Sequence, residues 1–586
     1  MKKEILELRE KMAREGIDVY FVPSGDDHSS EYVNDHFKAR EFMSGLSGES
    51  GELIVDDDGA YLWTDGRYFL QAESQLKGSD IELMRMAEPG VPTVEEFLED
   101  LAKKKDGYVL GFDGRIVSSD RGKALENQLG KLGVTFKYDK DLVGEIWKER
   151  PAINPSVLFE LPIEYTGKSA AEKLSWLRGE MDKNDADYLL VSDLMECAWL
   201  LNLRGHDVAY TPVFFGYALV GKDDLKLFVM DGAVIDKLPG DLDFITLEKY
   251  DDIEKSLAAL PAGKKLWLDE STTNYEVYLS VPEDVDIIAK GTPIAMEKAL
   301  KNDAEIKGFI NAHIKDGVAM VKFIYWLKNT VGKRKITELD AAEYLKNCRM
   351  EQEGCFDLSF ETISGYGPNG AIIHYAPTPE TDAEIKPDGF LLMDSGGQYM
   401  DGTTDITRTI AVGPLTQEMI DDYTYVLKSH IAMATAELSP DQNGIDIDRI
   451  ARQPLRDANR DFKHGLSHGV GHVLSCHEGP NILRRVPTPV PIKPRMIMSN
   501  EPGYYVDHKY GVRIENLVLL EKNDKGNTTF RSITYCPYEP EAINKKLLTD
   551  DEIKWINDYN VEVREKLLPL LDGELAEFLK SQTEEL

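Results

Sequence analysis

Residues 8–24, LREKMAREGIDVYFVPS, recur in altered form as residues 177–193, LRGEMDKNDADYLLVSD. At an offset of 169, without a gap, Leu8, Arg9, Met12, Asp18 and Val22 meet identical residues. Each copy sets a charged segment with apolar residues at helical spacing before a short apolar run, Val19–Val22 and Tyr188–Val191. That order predicts a helix followed by a strand. The chain then continues alike in both places. YLW at 61–63 and a helical stretch from 67 follow the first copy; LKLFVM at 225–230 and a helix near 251–260 follow the second. Two related α/β domains are the expectation.

The proline-bearing stretch KERPAINPSVLFELP (148–162) separates these units, and IIAKGTP (287–293) forms a second seam. Beyond it MEKALKNDAEIKGFINAHIKDGVAMVKFIYWLKN (296–329) reads as one strong helix, followed to about residue 523 by long helices and Gly-rich strands. From about 537 the chain reads as a helical tail, with LTDDEIKWINDYNVEVREKLLPLL carrying apolar residues at helical spacing. The expected division is 1–150 and 156–292 for the related α/β domains, 296–523 for an α+β third domain, and 524–586 for its extension.

The whole chain has 586 residues with 68 basic and 104 acidic side chains, a net charge of −36. So acidic a surface repels nucleic acid and anionic membranes, and leaves neither as an expected partner. Five scattered cysteines without a CxxC pair argue against a disulfide framework and for a reducing compartment. The N-terminus MKKEILELREKM alternates charge and lacks an apolar core, so it reads as an amphipathic helix and not as a signal peptide. No apolar run approaches the roughly 20 residues of a membrane span. The cytoplasm is the expected location.

Five potential metal ligands lie in Gly-punctuated settings of the third region. Asp394 ends FLLMDSGG, Asp405 sits in YMDGTTDITRT, His468 in HGLSHGVGH, Glu501 in IMSNEPGYY and Glu515 in YGVRIENLVLL. Four carboxylates and one imidazole make a hard, oxygen-rich set suited to two divalent ions such as Mn²⁺. Acidic pairs eleven residues apart arise about 18 times by chance in a chain this acidic, so the Asp394–Asp405 spacing alone carries little. The setting carries more. An acid that follows Leu391, Leu392 and Met393 ends a buried strand, where an unpaired carboxylate is costly. Glu515 likewise interrupts an apolar run, and a metal is among the few partners able to satisfy several buried carboxylates together. Other motifs fail: GYGPNG fits GxGxxG but has Pro368 inside it and no helix to follow, HGLSH is not HExxH, and no GxSxG elbow is present.

In order along the chain, WTDGRYFLQA (63–72), DLSFETISGYGPNGAIIHYAP (357–377), LLMDSGGQYMDGTTDITRT (391–409), HGLSHGVGHVLSCHEGP (464–480), MSNEPGYY (498–505) and GVRIENLVLL (511–520) resemble the pita-bread metallopeptidases of family M24. The resemblance is strongest to the three-domain cytosolic Xaa-Pro aminopeptidases, and it spans nearly the whole chain. It implies two creatinase-like N-terminal domains, a pita-bread catalytic domain, two divalent metals (Mn²⁺ foremost, with Co²⁺ or Zn²⁺ as alternatives) and a homodimer. It implies that Asp394 chelates one ion, that Asp405 and Glu515 bridge both, and that His468 and Glu501 complete the second. A hydroxide bridging the ions would then attack the scissile carbonyl, with Glu501 accepting and returning the proton. His374 and His477 look like the substrate-binding and transition-state histidines, His464 like part of the proline pocket, and Arg67 like an arginine that reaches a neighbouring active site to bind peptide. Arg513 and Tyr504 look like supports that orient ligands. Cys476 and His472 stand at positions that look variable in such enzymes. A prolidase for Xaa-Pro dipeptides, a methionine aminopeptidase and a non-catalytic peptide-binding protein are the competing readings.

Overall fold

The identities of the sequence repeat mark places where one construction is built twice. In the computed structural model, which describes residues 2–234, 237–440, 442–486 and 491–586, helices Lys3–Glu15 and Ala170–Lys183 precede strands Val19–Pro23 and Tyr188–Val191. Leu8 and Met12 are buried under the first sheet as Leu177 and Met181 are under the second. The Asp18 carboxylate accepts the amide of Val109 at 2.8 Å, and Asp187 accepts that of Lys265 at 3.0 Å. Each aspartate thereby sets the start of the parallel strand beside it. Arg9 donates to the Gly59 carbonyl and Arg178 to those of Gly221 and Asp224, closing the neighbouring hairpin in both copies.

Both sheets have six strands in one order, with the repeated strand fourth. The first runs Glu82–Arg85, Ala60–Thr64, Glu52–Asp56, Val19–Pro23, Val109–Gly111, Thr135–Lys137; the second runs Thr246–Lys249, Leu225–Val229, Gly216–Gly221, Tyr188–Val191, Lys265–Leu268, Asp286–Ala289. Along each sheet the pairings run parallel, antiparallel, antiparallel, parallel, parallel. The two domains form one compact unit, Met1–Pro162 with Lys168–Ala295.

A second unit comprises Ile163–Gly167 and Met296–Leu586. The expected helix over 296–329 is two helices, Pro293–Ala299 and Asp303–Thr330. Asn302 breaks it: its Oδ1 accepts the amides of Ala304 and Glu305 while Glu305 accepts that of Asn302, a capping box that restarts the helix. A three-stranded sheet (Ile363–Tyr366, Phe390–Ser395, Ile406–Ala411) and a larger one holding Asn516–Lys522, Ile497–Asn500, Ser467–Gly469 and Glu478–Leu483 carry the candidate site. Helices Gln417–Ala434 and Gly444–Asp457 lie in the same apolar cluster as Met496, Met498, Val512 and Val518. Tail helix Asp550–Leu567 adds Ile556, Tyr559 and Val563 to that cluster.

Two arrangements position the site. Antiparallel register sets Asp394 opposite Thr407, and a Cβ on Gly396 would lie 1.9 Å from the Thr404 carbonyl. Glycine there lets the hairpin close so that positions eleven apart in sequence meet. Fully buried Arg408 then spends its guanidinium on the carbonyls of Thr407, Glu515, Cys536 and Pro537, the Asn516 amide oxygen and the Tyr559 hydroxyl. It ties the aspartate hairpin, the Glu515 segment and the tail together.

His430 supports the strand before Glu501: its Nδ1 lies 3.1 Å from the Asn500 carbonyl and its Nε2 3.1 Å from the Tyr538 hydroxyl. Burial, reinforced by the charge of Arg408, pushes the His430 pKa down to about 3. An imidazole neutral in the fold but titrating near 6.5 when unfolded gives stability that is complete above pH 6.5 and is lost as pH falls toward 3. From pH 7 to pH 5 this should cost about 2 kcal/mol. Denaturant unfolding at the two pH values should show that loss, and His430→Gln should flatten it; an unchanged slope in the variant would count against the assignment.

Candidate metal centre and peptide site

The five candidate ligands come from five strands or strand ends of the C-terminal unit. Asp394 lies within strand Phe390–Ser395 and His468 within Ser467–Gly469. Asp405 immediately precedes Ile406–Ala411, Glu501 immediately follows Ile497–Asn500, and Glu515 stands in the two-residue break between Tyr510–Arg513 and Asn516–Lys522. Glu515 is thus not on a continuous strand, as the apolar alternation around it suggested. The break is held by its amide donating to the Thr407 carbonyl and its carbonyl accepting from Arg408.

The fold brings these groups together. Single ligand atoms of Asp405, His468 and Glu515 all lie within 4.8 Å of one another. His468 Nε2 is 3.4 Å from Asp405 Oδ2 and 3.5 Å from Glu501 Oε1. His468 Nδ1 lies 2.9 Å from the Gly469 carbonyl, which can only accept, so Nδ1 carries a hydrogen and Nε2 is the nitrogen turned toward the acidic cluster. Asp394 joins through Arg513, whose Nη2 and Nε donate to its Oδ2 at 2.6 and 3.0 Å.

Three of the carboxylates share one arrangement. Asp394 Oδ2 is held by Arg513, Asp405 Oδ2 by the Cys476 thiol at 3.1 Å, and Glu515 Oε2 by the Thr407 hydroxyl at 2.8 Å. Their other oxygens, Asp394 Oδ1, Asp405 Oδ1 and Glu515 Oε1, are buried without a hydrogen-bond partner among the described residues. Buried acceptors of this kind are costly unless a cation receives them, and the donor set is hard and oxygen-rich. The residues present therefore fit a pair of divalent ions. Burial raises the pKa of Glu515 well above the carboxylate range, and the charges of Asp405, Asp394 and Glu501 add to it. Burial likewise raises Asp394 and Glu501. For Asp405 burial is outweighed by His468, Cys476 and His477, which hold it below its ordinary value. Burial and the same aspartate keep the Cys476 thiol protonated, so it acts as a donor.

Around the acids stand half-buried histidines. The His477 ring is 4.3 Å from that of His468. His374 follows Ile373, whose carbonyl accepts Arg513 Nη2 at 3.2 Å; it lies in a turn after the short 3₁₀ segment Gly367–Ala371, not on the strand that AIIHY suggested. That segment packs Gly370 on strand Tyr510–Arg513: a Cβ on Gly511 would meet the Gly370 carbonyl at 1.8 Å, so Gly370 and Gly511 serve close backbone approach. His464 donates through Nδ1 to the Gly465 carbonyl at 2.7 Å and accepts the Tyr505 hydroxyl at Nε2, 2.9 Å away. Arg513 Nη1 donates to Tyr505 in turn at 2.6 Å. Burial and the Arg513 charge push His464 well below its usual pKa, and burial pushes the Tyr505 hydroxyl up to about 12.

Tyr504 does not take the supporting position expected of it. Its ring packs beside the Arg460 guanidinium, 5.5 Å away, and its neighbour Tyr505 contacts Arg513 and His464. Successive side chains on a strand face opposite sides, so only one of the pair can. Gly503 and Gly511 were the available signal, since a Cβ on either would strike the Tyr505 ring. Thr407 and Ser499 were also missed; Ser499 Oγ is 3.2 Å from Glu501 Oε1 and accepts the His468 amide at 3.0 Å. His472 meets the Asp401 carbonyl at 3.0 Å through Nε2, beside the ring of Phe309. Arg67 belongs to the N-terminal unit, where Nε and Nη2 form a two-point ion pair with Asp65 at 2.9 and 2.8 Å.

Residues 307–522 match metallopeptidase family M24, residues 5–141 and 149–305 each match a creatinase/prolidase N-terminal domain, and residues 527–586 match the C-terminal region of peptidase M24. The chain is 40% identical over 590 residues to a probable Xaa-Pro aminopeptidase P of Laccaria bicolor, covering 98% of this chain and 91% of that protein. The chain belongs to the Xaa-Pro aminopeptidases of family M24. Aminopeptidase P2 of Arabidopsis thaliana is 39% identical over 601 residues, covering 95% of this chain and 84% of that one. An X-prolyl aminopeptidase from Caenorhabditis elegans, described as a cytosolic enzyme with a di-nuclear active site, superimposes with a TM-score of 0.94 at 29% identity over 100% and 99% of the two chains. As an Xaa-Pro aminopeptidase the chain is a metallopeptidase and a hydrolase, with two creatinase-type domains ahead of a pita-bread domain.

In this aminopeptidase the hydroxyl of Thr407 holds Glu515 Oε2. Thr407→Val should weaken divalent-ion binding by about 10- to 100-fold while the fold persists. Chelator competition on the purified protein reads the affinity, and circular dichroism checks the fold; unchanged affinity would remove Thr407 from the support of the centre.

Proposed function

We propose that the chain removes the N-terminal residue from peptides with proline in second position, using two divalent ions, Mn²⁺ foremost with Co²⁺ or Zn²⁺ as alternatives, held by Asp394, Asp405, His468, Glu501 and Glu515. The observation that carries this reading is the shared arrangement of Asp394, Asp405 and Glu515, each with one oxygen anchored and the other buried and unpartnered. In this reading Asp405 and Glu515 would be shared by the two ions, Asp394 would serve the first, and His468 with Glu501 the second. Divalent ions held there would supply a Lewis acid for the scissile carbonyl and would activate an attacking water at neutral pH.

The chain's own side chains supply the rest. Glu501, steadied by Ser499, accepts a proton from the attacking water at its carboxylate and returns it to the leaving group. His477, beside His468, and His374, tethered through Ile373 to Arg513, bind the substrate and stabilise the oxygen that gains charge at the scissile carbonyl. His464 and Tyr505 form a wall for the proline ring. An Xaa-Pro bond has no N–H and a fixed ring, and its cis and trans forms are close in energy, so its recognition needs a preformed pocket that selects one shape. Arg67 binds the peptide in a neighbouring subunit's site, which makes the working form a homodimer. Domain limits at 150, 156–292, 296–523 and 524–586 complete the reading, as does a cytoplasmic location. No helix among the described residues is long and apolar enough to cross a membrane.

Chelator-stripped protein reloaded with Mn²⁺ should release arginine from Arg-Pro-Pro and little from Arg-Ala-Pro. Cleavage of Ala-Pro alone would make it a prolidase, release of methionine from Met-Ala-Ser alone would make it a methionine aminopeptidase, and no release with metal bound would leave a peptide-binding protein. Asp405→Asn should lose both metal and turnover. Arg67→Ala should raise KM for Arg-Pro-Pro by about tenfold with metal content unchanged, the loss expected for a charge-assisted contact to the peptide; an unchanged KM would confine Arg67 to its pair with Asp65.

A further inference from the structure

The peptidase reading uses His374 but leaves unexplained a buried carboxylate that binds the chain on either side of it. Residues 372–389, which carry His374, run as irregular chain from the 3₁₀ turn Gly367–Ala371 to strand Phe390–Ser395. Without a ladder or a helix, the peptide groups there need other partners. Glu338, the first residue of helix Glu338–Met350, is fully buried beside this chain. Its carboxylate is not occupied in capping that helix. Thr337 Oγ1 accepts the Asp340 amide at 3.2 Å and Asp340 Oδ2 accepts that of Thr337 at 3.0 Å, which closes the capping box without it.

Glu338 gathers donors from residues 366–383 instead. Its Oε1 accepts the Tyr366 amide at 2.6 Å and Asn369 Nδ2 at 3.0 Å. Its Oε2 accepts the Tyr375 hydroxyl at 2.8 Å and the Ala383 amide at 3.0 Å. None of these donors carries a charge. Burial pushes the Glu338 pKa up, and the bonds from Tyr366, Ala383, Tyr375 and Asn369 oppose that shift. The return for burying the acid is therefore geometric: one rigid group holds four points along a segment that has no regular structure of its own. His374 stands inside the span so held. The Tyr375 amide donates to the Ile372 carbonyl at 3.2 Å, which makes His374 the third residue of a four-residue turn. Arg513 Nη2 bonds the carbonyl of Ile373 just before His374, and Glu338 bonds the hydroxyl of Tyr375 just after it.

We propose that Glu338 is a positioning residue for the peptidase reaction, fixing the turn that presents His374 to the peptide. The inference rests on the reading of His374 as a group that contacts substrate. The test is a double-mutant cycle of Glu338→Gln and His374→Ala in the full-length, metal-loaded protein, read as kcat/KM on Arg-Pro-Pro. Glutamine keeps the shape of the side chain but offers one acceptor oxygen in place of two. Glu338→Gln should lower kcat/KM by about 10- to 100-fold, the loss that a misplacement of about 1 Å produces, with metal content unchanged. In the His374→Ala background the same change should have no further effect, because the group it positions is gone. A purely structural role would lower both backgrounds alike. Tyr375→Phe removes one of the four donors and should give a smaller loss that also vanishes with His374→Ala, which keeps the test decisive if Glu338→Gln fails to fold. Losses that multiply across the cycle, or an unchanged kcat/KM in Glu338→Gln, would overturn the proposal and leave the peptidase reading standing. Full activity of His374→Ala would overturn it together with the role of His374.

Discussion

Four carboxylates buried within reach of one another would repel, and the C-terminal unit is arranged around managing that repulsion. Each acid could be neutralised by a proton, by a fixed base or by a bound cation, and the structure restricts the second. Arg513 is the base that bonds Asp394, and it donates to Oδ2 only. Cys476 and Thr407 bond Asp405 Oδ2 and Glu515 Oε2 without adding charge. The unpartnered oxygens are left to a cation, so folding prepares the site for metal by making its absence unfavourable.

That constraint shapes the local backbone. Asp405, Glu501 and Glu515 stand where a strand begins, ends or breaks, positions at which the backbone leaves the hydrogen-bonded ladder. Such breaks need other partners for their peptide groups. Arg408 supplies several of them and, unlike Arg513, touches no carboxylate; it bonds backbone carbonyls on three segments together with Asn516 and Tyr559. The tail helix therefore supports the centre from behind: its Tyr559 and the Cys536 and Pro537 carbonyls leading to it complete the shell around this guanidinium.

The N-terminal unit shows what duplication retains. Asp18 and Asp187 survive as acceptors at the start of a parallel strand, Arg9 and Arg178 as donors to a hairpin, and Leu8, Met12, Leu177 and Met181 as core. Backbone geometry demands these residues in each copy.

From the sequence alone, local rules were sufficient for the repeat, the helix-then-strand order, the tail and the residue types around Asp394, Asp405, His468, Glu501 and Glu515, because periodicity and glycine-punctuated motifs act over short distances. They failed where one residue decides. Asn302 split a helix that apolar spacing ran through, the turn after Ala371 removed a strand, and the side of a strand chose Tyr505 over Tyr504. Tertiary structure alone decided which oxygen of each carboxylate is anchored and which is open, that Thr407 and Ser499 support the cluster, and that Glu338 binds the chain around His374. Apart from the bond between Ser499 and Glu501, those facts depend on groups tens to hundreds of residues apart meeting at hydrogen-bond distance, and no local pattern encodes the orientation in which they meet.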